Sequence, residues 1–185
     1  DRDARLGAAL SYPDWLVAAV TADLGAARAA ALLAAQNHRG PLTLRANLLR
    51  GTREALSERL LAEGVRATPG PLALASLLVD TRDARVNVYG LRAFQEGWLE
   101  LQDEGSQLIA ELTAPPPGGA VIDACAGAGG KTLALGALLG NRGRLLALDI
   151  DDEKLQELRR RTRRAGLTNV QARLLTPGPG ALQAA

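Results

Sequence analysis

The chain has 185 residues, enough for one domain of ordinary size or two small ones. Its 22 basic and 20 acidic residues leave a net charge of +2, too small a surplus to imply nucleic-acid binding by itself. A single cysteine excludes an internal disulfide and a multi-cysteine zinc site, and no apolar run approaches the roughly 20 residues that span a bilayer.

These features predict a reducing, cytoplasmic setting with no membrane association. The sequence starts at Asp1 and contains no Met, which predicts a chain trimmed from a longer product.

Residues 13–36, PDWLVAAVTADLGAARAAALLAAQ, are rich in Ala, Leu and Arg and predict a packed helical hairpin with a break at Gly25. The breaker cluster NHRGP at 37–41 follows, then LTLRANLL, whose alternation suits a strand. In GTREALSERLLAEG, Thr52 can cap a helix, Glu54 sits near its positive end and Gly64 can stop it. Leu56, Leu60 and Leu61 supply its apolar stripe. LALASLLV and ARVNVYG are weaker strand candidates, so residues from about 41 to 92 read as a small α+β unit.

From residue 98, WLELQDEGSQLIAELTA predicts a short strand, a turn and a helix, with Asp103 and Glu104 at its start, and APPPGG stops that helix. AVIDA, LALGALLG, RLLALDI, DDEKLQELRRRTRRAG and NVQARLL then read as strand, helix, strand, helix, strand. That order begins a parallel, doubly wound sheet, here a partial one. Within the second helix, Leu155, Leu158, Thr162 and Ala165 should face the sheet. Arg159, Arg160, Arg161, Arg163 and Arg164 read as a solvated face with a secondary capacity for phosphate. His38 reads as a loop residue without a role, and Trp15 and Trp98 as packing anchors.

The candidate site is the loop in VIDACAGAGGKT, residues 121–132. Gly130, Lys131 and Thr132 supply half of a phosphate loop, but Cys125 stands where its leading glycine belongs. Gly127 and Gly129 fit two positions of a dinucleotide fingerprint, and Thr132 breaks the third. Counted from Asp123, the small residues Cys125, Gly127 and Gly129 follow at every second position. That is the D-x-G-x-G-x-G rhythm of methyl-donor sites, with cysteine in the first glycine slot. Minimal side chains let a ligand lie close to the backbone, and the next helix offers free N–H groups. Asp149 ends the next strand, 20 residues after Gly129, where a ribose-binding acid belongs. A simple tight turn would explain the glycines but not Asp149.

DACAGAGGKT also resembles the D-x-C-A-A-P-G-G-K-T signature of the Sun-type RNA (cytosine-5) methyltransferases. SYPDWLV resembles that family's S-x-P-x-W-L segment, and PLTLRANLL its P-x-x-L-R-x-N strand, which places Arg45 and Asn47. LELQDEGSQ resembles its Q-D-x-x-S-Q helix. The likeness covers nearly the whole chain in one order. It implies an α/β fold with a partial Rossmann-like class I methyltransferase sheet, preceded by a small α+β unit and N-terminal helices. It implies three regions: a helical segment at 1–38, an RNA-contacting α+β region at 39–95, and the N-terminal half of the S-adenosylmethionine-binding domain at 96–185. The implied donor site comprises Cys125, Ala126, Gly127, Ala128, Gly129, Gly130, Lys131 and Asp149, with no metal, and the implied partner is RNA, ribosomal by the family's bacterial members.

The implied reaction is methyl transfer to C5 of cytosine, which needs a thiolate addition at C6 and removal of the C5 proton. The family places those cysteines in segments beyond the end of this chain. The piece as given is therefore expected to be inactive, with Cys125 a small buried loop residue. Gly127 and Ala128 depart from the family's Ala and Pro, and Leu175 and Thr176 stand where an acid is expected. A non-catalytic RNA-binding module and a phosphate-loop nucleotide binder remain the alternatives.

Overall fold

In the computed structural model, residues 2–81 and 86–175 are described, and the chain divides into two compact units, Asp1–Pro41 and Leu42–Ala185. The first holds α1 (Arg2–Leu10), α2 (Asp14–Leu24) and α3 (Ala26–Gln36). The predicted break falls at Gly25, whose φ of 77° ends α2 and starts α3. The unit's interior is made by Val17, Ala29 and Leu33. Trp15 is not the anchor the sequence suggested, being 71% exposed. It lies near the start of α2, two residues before Val17 and so roughly 200° around the helix from it.

The second unit begins with β1 (Thr43–Ala46), α4 (Arg53–Ala62), β2 (Ala67–Pro69), β3 (Ser76–Val79), the short α5 (Arg92–Gln95) and β4 (Leu99–Leu101). The four strands pair antiparallel in the order β2-β3-β1-β4, the β-α-β-β-α-β arrangement of a split βαβ unit. Leu44, Leu56, Leu60, Leu77 and Leu99 fill the core between sheet and helices. Thr52 caps α4 as expected, accepting a hydrogen bond from the Ala55 N–H at 3.1 Å. Leu56 and Leu60 are buried, but Leu61 is exposed, because one further residue turns about 100° away from the stripe.

Four differences from the sequence reading concern strands. β2 was not foreseen, since three residues ending in Pro carry almost no periodicity. Within LALASLLV, only Ser76–Val79 is extended. ARVNVYG does not give a strand over its described part. Residues 82–85 lie outside the described range, and Val88–Gly90 forms a 3₁₀ turn. The strand at 99–101, which the sequence reading grouped with the region from 96 onward, is the edge of the antiparallel sheet beside β1.

The remainder is α6 (Glu104–Leu112), β5 (Ala120–Asp123), α7 (Gly130–Leu138), β6 (Arg144–Asp149), α8 (Asp152–Ala165) and β7 (Val170–Leu174). β5, β6 and β7 form the expected parallel sheet in chain order. Leu155, Leu158, Thr162 and Ala165 of α8 are all buried, as their spacing required. Trp98 is half-buried against the antiparallel core, with the Arg59 guanidinium 4.3 Å above its ring.

One polar residue ties the antiparallel layer to α8. Asn47 donates to the carbonyls of Gly97 at 2.8 Å and Ala165 at 2.9 Å, joining the end of β1 to the last residue of α8. Gly97 allows that approach. A Cβ there would stand 1.9 Å from the Arg164 carbonyl oxygen, and its φ is 75°.

Asp103 caps α6 through the Ser106 N–H. Its neighbour Glu104 reaches back to the loop before β3. One carboxylate oxygen accepts from the Leu72 and Ala73 N–H groups at 2.9 and 3.0 Å. Those two backbone bonds hold the carboxyl below its ordinary 4.5, the Ala73 bond contributing most. A lowered folded value means that the unfolded chain takes up the proton first as pH falls. The stabilisation is present above 4.5 and is lost as pH drops through the folded value. Glu104→Gln should therefore lower the urea midpoint at neutral pH and flatten the fall in stability below pH 4.5. Urea unfolding across the acid range reads both effects.

Candidate functional site

The loop from Ala124 to Gly129 leaves the C-terminal end of β5 and runs into α7. The backbone closes it. The Ala126 N–H donates to the Leu148 carbonyl on β6, and the Gly129 N–H donates back to the Ala126 carbonyl, both at 2.9 Å. Gly127 and Gly129 both take left-handed conformations, with φ of 52° and 89°. At Gly129 the constraint is double. A Cβ would also meet Leu158 Cγ at 2.8 Å and Leu133 Cδ1 at 2.9 Å, so only glycine lets the loop lie on α8. At Gly127 the same Cβ would meet nothing, because the loop is open on that side.

The two acids expected from spacing take different duties. Asp123, at the end of β5, accepts from the Thr132 hydroxyl at 2.7 Å and so pins the first turn of α7 to the strand. Asp149, at the end of β6, accepts from the Gly127 N–H at 2.7 Å and from the Asp151 N–H at 3.0 Å. Its carboxylate thus lies directly against the middle of the glycine loop. An ionised carboxylate has about four acceptor positions, so the two backbone donors leave capacity for two hydroxyls of a ligand.

The structure brings Ala126, Gly127, Ala128, Gly129, Gly130 and Asp149 together at the ends of β5 and β6. Lys131 is exposed in the first turn of α7, where backbone N–H groups lack partners within the helix. Cys125 was expected to be buried, and it is exposed. Among the described residues no element covers that side of the strand end, so the thiol sits on the open rim.

A phosphate loop fits poorly. Its threonine must offer the hydroxyl to a magnesium ion, whereas the Thr132 hydroxyl is committed to Asp123 and the residue is fully buried. Among the described residues no cluster of His, Cys, Asp and Glu could hold a metal, and no helix is long and apolar enough to cross a membrane.

Three residues bearing on the loop were not singled out for it by the sequence. Arg45 of β1, 6% exposed, donates to the Gly130 carbonyl at 2.7 Å and to the Gln102 side-chain oxygen at 2.6 Å. Burial pushes its guanidinium down to about 10, Glu100 opposes that shift and Arg161 adds to it, so it stays charged at neutral pH. Arg161 of α8 donates to the Ala128 carbonyl at 2.7 Å and to Glu100 at 2.9 Å. Glu100, 3% exposed on β4, also receives Arg164 at 2.6 Å. The arginine face of α8 is therefore only partly solvated. Arg160 and Arg163 are exposed, Arg159 reaches the Ala172 carbonyl, and Arg161 and Arg164 turn inward. Nothing local in the sequence could reveal this, because Glu100 lies 61 residues from Arg161.

Leu175, in one of the two positions where an acid was expected, is half-buried and donates its N–H to the Asp149 carbonyl. Thr176 lies outside the described residues.

Comparison with known proteins places these features. The chain matches the ferredoxin-like domain model of RsmF/B-like methyltransferases over residues 12–87 and the 16S rRNA methyltransferase RsmB/F model over residues 110–175. It is 32% identical to a probable ribosomal RNA small subunit methyltransferase B of Bacillus subtilis, over 91% of this chain and 37% of that protein. It is 36% identical to ribosomal RNA small subunit methyltransferase B of Xylella fastidiosa, over 89% of this chain and 36% of that one. It thus spans little more than a third of either relative. The crystal structure of a methyltransferase homologue from Pyrococcus horikoshii superposes with a TM-score of 0.82 at 27% identity, covering 91% of this chain and 54% of that one.

Gly129→Ala tests the loop geometry. The left-handed φ and the contact with Leu158 predict a loss of about 2 kcal/mol or more in unfolding free energy. Gly127→Ala should cost less, since it meets only the conformational penalty. Denaturant titration of the two variants side by side checks that order.

Proposed function

This chain belongs to the Sun-type RsmB/F methyltransferase family, and on that premise we propose that it binds S-adenosylmethionine at the glycine loop and serves methyl transfer to C5 of cytosine in ribosomal RNA. The observation that carries the reading is Asp149, whose carboxylate stands against the Gly127 N–H at the open face of the loop. A methyl donor with a ribose needs an acceptor for its hydroxyls and a backbone without side chains above it. Asp149 supplies the first, and the run from Cys125 to Gly130 supplies the second. The free N–H groups at the start of α7, including that of Lys131, give the amino-acid end of the donor its partners.

S-adenosylmethionine supplies an electrophilic methyl group. The chain's part is to hold it. Asp149 fixes the ribose, the loop backbone carries the donor across the ends of β5 and β6, and Cys125 lines the rim. In this reading Cys125 is not the attacking thiol, because it belongs to the donor loop. C5 of cytosine is a weak nucleophile until a thiolate adds at C6, and a base must then take the C5 proton. The target cytosine must also leave its helix to be reached.

The antiparallel β1–β4 region, with α4 and α5, is assigned to RNA contact, and the N-terminal helices precede it. The names of the two bacterial relatives support ribosomal RNA as the substrate class, and a cytoplasmic setting follows from that reading.

Calorimetric titration of S-adenosylmethionine into the folded chain tests the donor site. Binding is expected, and Asp149→Ala should weaken it roughly tenfold or more, the range for a hydrogen bond to a charged group. ATP with magnesium should give no heat. Donor binding that survives Asp149→Ala unchanged would remove Asp149 from the site, and ATP binding would favour the phosphate-loop reading.

A further inference from the structure

The glycine loop is held from behind by two cations that belong to other elements. Arg161 of α8 donates to the Ala128 carbonyl and Arg45 of β1 to the Gly130 carbonyl, each at 2.7 Å. We propose that Arg45 and Arg161, aligned by the buried Glu100 and by Gln102, are positioning residues that set the direction of the loop's peptide groups and so pre-form the donor site.

The geometry rests on the planar peptide. In a trans peptide the carbonyl and the following N–H point opposite ways. Drawing the Ala128 carbonyl toward Arg161 turns the Gly129 N–H the other way, into its bond with Ala126. Drawing the Gly130 carbonyl toward Arg45 turns the Lys131 N–H outward along the start of α7, where the donor's charged end is assigned. A cation on each carbonyl also polarises the peptide and strengthens its N–H as a donor. Glycine-rich backbone is otherwise free to rotate, and here no proline stiffens it: Ala128 stands at that place.

The holding groups are themselves oriented. Arg161 spends its Nε and Nη2 on one Glu100 oxygen and its Nη1 on the loop. Arg164 occupies the other Glu100 oxygen and stacks 3.9 Å above Phe94, but it has no bond to the loop. Arg45 shares one nitrogen between Gln102 and Gly130. Glu100 lies in the middle of β4, paired with Arg45 on β1, and Gln102 is the residue just after the strand. The donor loop is therefore braced by the same two strands that are assigned to the RNA-contacting region. This inference rests on the donor reading for its functional meaning, and on geometry alone for its structural content.

Arg161 and Arg164 give a matched pair for the test. A lysine can keep the ion pair with Glu100, but it lacks the fork that serves two acceptors at once. Arg161→Lys should speed amide hydrogen exchange at Gly127 and Gly129, whose N–H groups are bonded within the loop, by about tenfold, while Arg164→Lys leaves those amides unchanged. Arg45→Lys should repeat the effect at Gly129. NMR-detected exchange on the unliganded, folded chain decides the inference. Equal exchange in Arg161→Lys and wild type, or the same acceleration in Arg164→Lys, would overturn it. A parallel titration with S-adenosylmethionine separates this from the donor reading. If wild type binds, Arg161→Lys should weaken affinity about tenfold and Arg164→Lys should not. Affinity equal in wild type and Arg161→Lys would overturn the inference even with binding intact. If wild type does not bind while Arg161→Lys alone loosens the loop, the brace stands and the donor reading falls.

Discussion

One buried carboxylate organises the junction between the two sheets. Glu100 sits at 3% exposure with Arg161 on one oxygen and Arg164 on the other. A lone ionised carboxylate could not be placed there, because desolvation costs several kcal/mol per ion. The pairing compensates that cost, and in doing so it fixes α8 against β4. Removing one partner of such a buried pair costs about 3–5 kcal/mol, so the join has little tolerance for change. Asn47 closes the same junction from the other side, with two backbone carbonyls on its amide. The apolar clusters then lie on either side of a polar seam: one inside the antiparallel layer, the others between α6, α7, α8 and the parallel sheet.

That seam explains why the loop can be so poor in side chains. Residues 125–130 carry nothing larger than a thiol, so they have little packing of their own. Their shape comes from outside: Leu158 and Leu133 under Gly129, Asp149 on the Gly127 N–H, and the two arginines on the carbonyls. Small residues leave room for a ligand, and polar groups on neighbouring elements supply the rigidity that small residues forfeit. The loop faces open space at Gly127 on one side and a charged, nearly dry interior on the other.

How much of this the sequence revealed depended on distance along the chain. Local signals were sufficient for the parallel sheet: a short apolar strand, glycines, a helix, and an acid at the next strand end. The cap at Thr52 was legible because the acceptor and the amide are three residues apart. β2 was not, since three residues ending in Pro have no pattern to read, and β4 was visible as a strand but not as a partner of β1. Exposure was the weakest inference. Trp15 and Cys125 both lie outside, because side-chain type says little about a face that a fold leaves uncovered. The brace on the loop was invisible for a stricter reason. Arg45 and Gly130 are 85 residues apart, and an arginine on a strand looks the same whether it meets solvent or a carbonyl.

The arginine-rich helix shows how the two kinds of information combine. Periodicity correctly put Leu155, Leu158, Thr162 and Ala165 on the sheet face, and by exclusion the arginines elsewhere. Exclusion from one face does not mean exposure, however. A helix lodged between two layers has three environments: the parallel sheet, solvent and the antiparallel edge. Arg161 and Arg164, three residues apart, share the third of these, and both reach Glu100 because i and i+3 lie on one side of a helix. Arg160 and Arg163, each one step earlier in the chain, are turned about 100° away into solvent. The same spacing therefore splits into an inward pair on Glu100, of which Arg161 alone reaches the glycine loop, and an outward pair, of which Arg160 is held by Glu157. One short run of arginines thus braces the glycine loop from one side of the helix and keeps charge on the other, without any residue serving both.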